Sequence, residues 1–586
     1  MRSEIESEIR KIVTKLYGIE TIPAFSVESP ENEAHGDYAT NIALSLSKAV
    51  KRSPSDIAKE IAAKISNNRF EKVAVVSPGF INVFLKDDFL ISQMTNVGAD
   101  WGKSDVGKGR TVIVEYFQLN IAKRPHVGHL RSAVIGDSIK RMLLSQGYNA
   151  ISDTHIGDWG TQFGIIIYAV KQVSPTVRDM IESDPLVQYE VLYNLYNSAI
   201  KDPSIRTNLQ REEWANQHTD FDNLIARAKE EFSKLESGDT ENRSIWQKAV
   251  DVSMQELNRT AEQLRLEKFN EHKGESSYGG DMPRIVSEAL ERGVAKKKDD
   301  GAVVVDLTHE NLDEAILAKS DGASTYLLRD LATIKYRKEH WKFSQNLYVV
   351  DVRQSHHFRQ LFRVAELFGF EGVGESKHIE FGFMSLPGGA MSTRKGNVIN
   401  LGGLIQQAGF KAAQVIREKN PALYESSNLG EIRDAIALGA IKYFDLSHHR
   451  KSDIVFRWES ALTFEGNTGP YLQYTHARLK SILRKAGDKS SAASFITLTP
   501  IEHSLLVTIL RFPEVIEDTL KDYTPNTLAN YLYILAGRVN EFYHSHPVIQ
   551  ETHVGKQAFR LKLVEAASQT IKNGLRLLGI DAPEEM

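Results

Sequence analysis

The sequence predicts a multidomain α/β protein, in which a parallel-sheet domain is flanked by a small α+β unit and an all-helical terminal unit. Three observations carry this. From Lys108 onward, buried strand patterns alternate with helices, the signature of a parallel sheet. That alternation is interrupted from about Lys171 to Gly280 by polar, charge-rich helical sequence, which reads as an insertion. Beyond about Glu465 the strand signals disappear and only helical periodicity remains.

The elements follow in order. Residues 1–105 hold two helical patterns, "EIESEIRKIVTKLYG" and "SDIAKEIAAKI", with "HGDYATNIALSLSKAV" between them. A strand pair follows in "KVAVVSPGFINVFL", with Ser-Pro-Gly as its turn. Residues 106–464 form the sheet domain. "TVIVEYF" is a strand, "HLRSAVIGDSIKRMLLSQG" a helix closed by glycine, and "AISDTHIGDWG" a strand with its loop. After the insertion, "GVAKKKDDGAVVVDL" reads as a hairpin turning at Asp-Asp-Gly. "STYLLRDLATIKYRKE" is a helix, "NLYVVDV" a strand and "SHHFRQLFRVAELFGF" a helix, before the loop "SLPGGAMSTRKGNVINL". Residues 465–586 are four long helical patterns.

Bulk properties exclude several classes. The 586 residues are 41% hydrophobic and 25% charged, ordinary for a soluble chain with large cores. No apolar run reaches the length of a membrane span. The start "MRSEIESEIRKIV" lacks an apolar signal core, so a cytoplasmic location is expected. The absence of cysteine rules out disulfides, thiolate zinc sites and cysteine nucleophiles. With a net charge of −4, any nucleic-acid partner has to bind through local basic patches.

The informative stretch is "NIAKRPHVGHLRSAVIG", Asn120 to Gly136. It leaves a buried strand at its carboxyl end, where open parallel sheets bind ligands. The helix is expected to begin near Pro125, and a helix N-terminus with its free N–H groups suits phosphate. His126 and His129 share one face of its first turn, Gly128 leaves room for a flat base, and Lys123 and Arg131 add positive charge. Glu115 ends the preceding strand, where a buried acid is costly unless paired.

"HVGH" resembles the HIGH signature of class I aminoacyl-tRNA synthetases, and "AMSTRKGN", Ala390 to Asn397, resembles their KMSKS loop. "VEYFQLNIAKRPHVGHLRS", "HIGDWGTQFG", "YLLRDLATIKYR", "DVRQSHHFRQLF", "GPYLQYTHAR", "HGDYATNIAL", "PGFINVFL" and the ending "LLGIDAPEEM" resemble the arginyl-tRNA synthetase family over nearly the whole chain. The resemblance implies a Rossmann-type catalytic domain, an N-terminal additional domain that contacts the tRNA elbow, and a C-terminal DALR anticodon-binding bundle. It implies that L-arginine is activated with ATP to arginyl-AMP and passed to the terminal adenosine of tRNA(Arg), with tRNA bound before activation.

The residues it implies are these. His126, His129, Lys123, Arg394 and Lys395 would be catalytic, balancing charge on the phosphates. His126, Gly128, His129, Met391 and Ser392 would hold ATP. Glu115, Asn120, Tyr326, Asp330 and Gln354 would hold arginine, with Asp330 on the guanidinium and Tyr326, four residues earlier, lining its pocket. Tyrosines stack on unpaired bases and arginine holds phosphate, so Tyr471, Tyr474, Arg478 and Tyr543 are expected to face tRNA, with Asn82 and Met586 as further candidates. Asp158, Trp159 and Gln162 are expected at the floor of the site. Mg2+ would arrive with ATP, without a structural metal, and the paired histidines of "QSHHFR", "SHHR" and "HSH" read as surface or tRNA-facing. A monomer with no DNA or membrane partner is the default expectation.

Two departures stand out. Gln118 and Leu119 occupy the family's usual Ser-Pro. Ala390 and Thr393 replace the KMSKS lysines, a loss that Lys123, just upstream of the histidines, is expected to offset. The competing readings are another class I synthetase, a small-molecule adenylyltransferase and a non-catalytic tRNA-binding paralogue.

Overall fold

The computed structural model describes residues 1–30, 32–65, 68–200, 202–212, 214–370, 372–385, 387, 400–487 and 497–586. The loop bearing Met391, Ser392, Arg394 and Lys395 lies outside the described residues. The chain divides into two compact units: residues 1–103, 464–576 and 581–586, and residues 104–463 with 577–580.

The second unit is built on a four-stranded, all-parallel sheet. Its order is Lys377–His378, Gln345–Tyr348, Thr111–Glu115, Asn149–Asp153. The chain starts at Thr111–Glu115, steps outward to Asn149–Asp153, then returns to build on the other side. The strand order therefore reverses between Thr111–Glu115 and Gln345–Tyr348, the switch point at which such sheets bind ligands. Register places Glu115 opposite both Asp153 and Tyr348 at the carboxyl ends. The Val127–Ser145 helix lies tight on the sheet, because a Cβ on Gly136 would stand 2.3 Å from the Tyr116 ring.

The helix carrying the histidines is anchored through Arg131, expected above to add positive charge to the site. Instead the Arg131 guanidinium is buried against Asp445 at 3.1 Å and donates to the carbonyls of Gly382 and Ser452 at 2.8 Å each. Asp445 offsets its charge, and these contacts hold the helix in place.

The insertion is helical, from Thr161–Gln172 to Thr240–Gln263. Gly164 lets the first of these helices meet Leu224–Ser237: a Cβ there would lie 1.8 Å from the Ala228 carbonyl oxygen. The structure brings the tail of this segment back to the sheet earlier than about residue 280. Asn270 and Glu271 donate their N–H groups to the Ser152 carbonyl, and a 3-10 turn follows at Glu275–Tyr278. The hairpin of Lys296–Lys297 and Val303–Val305 gains a third strand, Ala315–Ala318, too short to show in the sequence pattern.

In the first unit a four-stranded antiparallel sheet runs in the order Val27–Glu28, Tyr38–Thr40, Phe80–Leu85, Phe70–Val76. The helices Gly469–Ala486, Pro500–Leu510, Phe512–Asp522, Pro525–Ser545 and Val554–Leu577 belong to the same unit. Polar contacts tie the sheet region to these helices. Tyr38 donates its hydroxyl to Glu514 at 3.0 Å, and His503 reaches Asp37 and Asp87 at 3.0 Å each. Among the described residues no helix is long and apolar enough to cross a membrane.

Burial opposes the charge on His503, but Asp37 and Asp87 outweigh it and push its pKa up to about 9. A histidine raised above its unfolded value of about 6.5 stabilises fully below that pH and loses the contribution as pH rises through the folded value. Stability of the full chain is therefore expected to fall by up to about 3 kcal/mol from pH 6.5 to 9. Denaturant midpoints measured across that range check this; an equal slope in His503→Gln would refute it.

Candidate active site

A cavity of about 920 Å³ opens at the switch point. Its lining includes Glu115, Gln118, Asn120, His126, Gly128, His129, His155, Glu275, Tyr326, Asp330, Tyr348, Gln354 and His357. All five residues expected to hold arginine line it. Of those expected on ATP, the described ones, His126, Gly128 and His129, line it too.

The histidine turn differs from expectation in one detail. The helix begins at Val127 rather than near Pro125, and extended His126 is its N-cap. Its Nδ1 accepts from the Gly128 N–H at 3.1 Å, while the His126 N–H donates to His129 Nδ1 at 3.1 Å. The two rings lie 3.9 Å apart. A ring nitrogen that accepts is unprotonated, so the backbone fixes both histidines as neutral tautomers with the proton on Nε2. Electrostatics agree. Burial and then Lys123 lower the His126 pKa; burial and then His126 drive that of His129 well down. Each ring thus keeps one N–H donor at the edge of the cavity, beside the free N–H groups of the helix start. A Cβ on Gly128 would press on the His126 ring at 2.8 Å.

Lys123 does not line the cavity. Its ammonium lies 4.7 Å from the centre of the Tyr193 ring, and Arg124 pairs with Glu190 at 2.7 Å, both on the insertion helix Pro185–Ala199. Burial lowers the Lys123 pKa, and Glu190 partly restores it.

The opposite wall is acidic and tightly wired. Glu115 lies 2.6 Å from Arg337, whose other nitrogen meets Asp153 at 2.7 Å. Gln118 donates to Glu115 at 3.2 Å and accepts from the Ser132 hydroxyl at 3.2 Å. Asp330 stands one turn into the helix Tyr326–Trp341, with Oδ1 3.3 Å from His155 Nε2 and Oδ2 2.6 Å from His357 Nε2. Burial opposes its ionisation, but these two contacts prevail and hold it below the usual carboxylate range. Glu275 pairs with Arg329 at 2.8 Å, yet burial pushes its pKa up to about 7.

Tyr326 is 69% exposed, with the Arg329 guanidinium 4.6 Å from its ring centre. Asn120 and Gly157 are bridged strand-to-strand, and the Asn120 amide fills the space a Cβ on Gly157 would need. Gln354 caps the helix Ser355–Leu367.

Sequence reasoning missed several of these. In "HIGDWGTQFG" it picked Asp158, Trp159 and Gln162, none of which lines the cavity. Asp158 instead accepts from Ser276, and Trp159 packs edge-on against Phe232 and Trp246. The neighbouring His155 and Gly157 are the cavity residues, and their place just past a strand end was the available signal. His357, read as surface or tRNA-facing, lies on Asp330. Glu275 and Arg337 reach the site only through tertiary contacts. Among the described residues no cluster of three or more histidines and carboxylates is arranged around a metal position.

In the first unit, four residues expected to face tRNA come together. The Arg478 guanidinium lies 4.7 Å from the Tyr474 ring centre and 5.5 Å from that of Tyr543. Asn540 bridges the group, accepting from Arg478 at 3.1 Å and donating to the Tyr471 hydroxyl at 2.6 Å. Asn82 is placed differently: it is 3% exposed in the sheet, between Ala39 and Ala74. Near Met586, Glu584 meets Lys480 and the Asp581 carbonyl accepts from Gln473.

Comparison with known proteins identifies the family. The family described as tRNA synthetases class I (R), catalytic domain, matches residues 91–458. The DALR anticodon binding domain matches 472–586, and the arginyl tRNA synthetase N terminal domain matches 3–85. A protein named arginine–tRNA ligase from Fusobacterium nucleatum is 34% identical over 100% of this chain and 99% of its own length. One of the same name from Clostridioides difficile is 37% identical, covering 96% and 95%. The solved arginyl-tRNA synthetase of Thermus thermophilus superposes with a TM-score of 0.81 at 25% identity over 100% of both chains. That of Plasmodium falciparum shares the fold, with a TM-score of 0.79 at 24% identity over 100% and 99%. With its catalytic, anticodon-binding and N-terminal regions all matched, the chain belongs to the class I arginyl-tRNA synthetases.

Proposed function

We propose that this chain joins L-arginine to tRNA(Arg), using ATP, in the cavity at the sheet's switch point. The observation that carries the reading is the charge of the acidic wall. Glu115, Asp153 and Asp330 are balanced within their cluster by Arg337 and by His155, whose pKa Glu115 and Asp330 push up to about 9 against burial. The carboxylates of Glu115 and Asp330 both line the cavity, a donor-poor, acceptor-rich wall that suits a guanidinium. An ionised carboxylate accepts at about four lone-pair sites, so Glu115 and Asp330 keep acceptor capacity beyond their internal partners.

The arginine carboxylate, already ionised at neutral pH, attacks the α-phosphorus of ATP. The bond to pyrophosphate breaks and arginyl-adenylate forms. The step needs no general base, so the protein's task is to position the reactants and stabilise charge. The Nε2–H groups of His126 and His129 donate to phosphate oxygens as charge develops. In the second step the 2′-hydroxyl of the terminal adenosine attacks the arginyl carbonyl carbon and AMP leaves. Mg2+ would come with ATP, held mainly by its phosphates. Arg394, Lys395, Met391 and Ser392 are assigned to the triphosphate by family resemblance. Tyr471, Tyr474, Arg478 and Tyr543 form the candidate anticodon-side surface. We place the protein in the cytoplasm as a monomer, with no DNA partner.

The first test is ATP–pyrophosphate exchange with L-arginine, with and without a tRNA(Arg) transcript. Exchange is expected only with tRNA. Exchange without it would refute the tRNA requirement, and none in either condition would refute the enzyme. Asp330→Asn is expected to raise the arginine KM roughly tenfold to a hundredfold, the worth of one charge-assisted contact, with the ATP KM unchanged. His126→Ala is expected to lower kcat for exchange about a hundredfold, as loss of one preorganised donor does; an unchanged rate would remove His126 from the mechanism.

A further inference from the structure

We infer that His155 and His357 are positioning residues that clamp the carboxylate of Asp330 from both sides and fix the orientation in which it meets the substrate's guanidinium. The inference rests on the reading of Asp330 as the guanidinium partner. The two histidines come from separate elements: His155 from the loop after Asn149–Asp153, and His357 from the first turn of Ser355–Leu367. Their Nε2 atoms stand 3.3 Å from Oδ1 and 2.6 Å from Oδ2, one nitrogen for each oxygen. A carboxylate on a helix turns about two side-chain bonds; the His357 hydrogen bond on Oδ2 and the His155 ion pair on Oδ1 together restrict that freedom. Each oxygen keeps a lone-pair site, so the clamped group can still accept two parallel N–H bonds from a planar guanidinium.

The backbone supports this reading. His155 is held at φ 39°, in the left-handed region that residues with a Cβ seldom adopt, a conformation that concentrates at functional sites. The groups facing His155 are Asp153 and Asp158 of its own segment, Glu115 of the neighbouring strand, Glu275 of the returning insertion, and Asp330 and Arg337 of the helix. Acids outnumber the single arginine, which keeps the imidazole protonated at neutral pH despite burial. The positive charge of His155 also offsets part of the charge on Asp330. Geometry therefore weighs more than net charge in choosing the substrate. Lysine, a point charge that cannot make the two parallel bonds, gains less from a clamped carboxylate than arginine does. The clamp is thus a specificity device.

Exchange kinetics on the full chain, with tRNA(Arg) present, test this. His357→Ala is expected to raise the arginine KM about tenfold, with the ATP KM and kcat held within about twofold. His357→Gln, which keeps a donor, is expected to recover most of the loss. His155→Ala, which removes the other donor, is expected to raise the arginine KM as well, with the ATP KM and kcat held within about twofold. If Asp330→Asn raises the arginine KM while both histidine variants match wild type, the clamp is overturned and the guanidinium reading stands. If Asp330→Asn changes nothing, the guanidinium reading itself falls and the clamp with it. A loss of kcat with both KM values unchanged overturns the clamp as well.

Discussion

The catalytic unit depends on one buried cation. Arg337 is fully enclosed and joins the carboxylates of Glu115 and Asp153, which end two adjacent parallel strands in register. Two acids at neighbouring strand ends would repel each other in a low-dielectric setting. The guanidinium between them turns that repulsion into a tie across both strands and the helix Tyr326–Trp341. Removing one partner from such a buried set typically costs about 3–5 kcal/mol, because the remaining charges are left uncompensated. The same helix carries Asp330 and Tyr326, so the tie that relieves the strand ends also sets the height of the acidic wall.

The facing wall follows a different electrostatic rule. Its two histidines are kept neutral by accepting backbone N–H groups, while His155 across the cavity is kept charged by acids. Identical side chains thus hold opposite protonation states within one cavity, each set by its partners. Neutral donors suit a phosphate that gains charge only in the transition state. A fixed cation suits the orientation of a carboxylate. Arg131 reinforces the division: although it sits two residues from His129, Asp445 spends its charge on anchoring the helix.

The first unit shows how distant sequence can share one body. The antiparallel sheet of the first hundred residues and the terminal helices are tied by polar contacts such as His503 between Asp37 and Asp87, and Tyr38 on Glu514. In the same unit, the rings of Tyr474 and Tyr543 lie against Arg478, which donates to Asn540. A guanidinium held between two aromatic rings keeps a fixed orientation while its edge stays available, the arrangement expected of a surface that reads unpaired bases.

Much of this was legible in the sequence. Periodicity located three of the four parallel strands, the long helices and the change to an all-helical end, because burial repeats at the period of each element; Lys377–His378, only two residues long, shows no period. The spacing of His126, Gly128 and His129 after a strand marked one wall of the cavity, since local chain geometry alone brings those groups together. Asp330 and Tyr326 were visible for the same reason, being one helical turn apart. What spacing could not show was who partners whom. Arg131 lines the cavity as expected, but Asp445, more than three hundred residues away, shares its charge, and Lys123 lies over the Tyr193 ring instead of the cavity. His357 looked like a surface residue until its helix packed beside Asp330, and Glu275 belonged to an insertion until the chain returned to the sheet edge. The sequence by itself determined the elements, the family and the local motifs, because these depend on neighbours in the chain. Tertiary structure alone decided which charges are cancelled, which are clamped and which stay open to a substrate, because electrostatics acts through space.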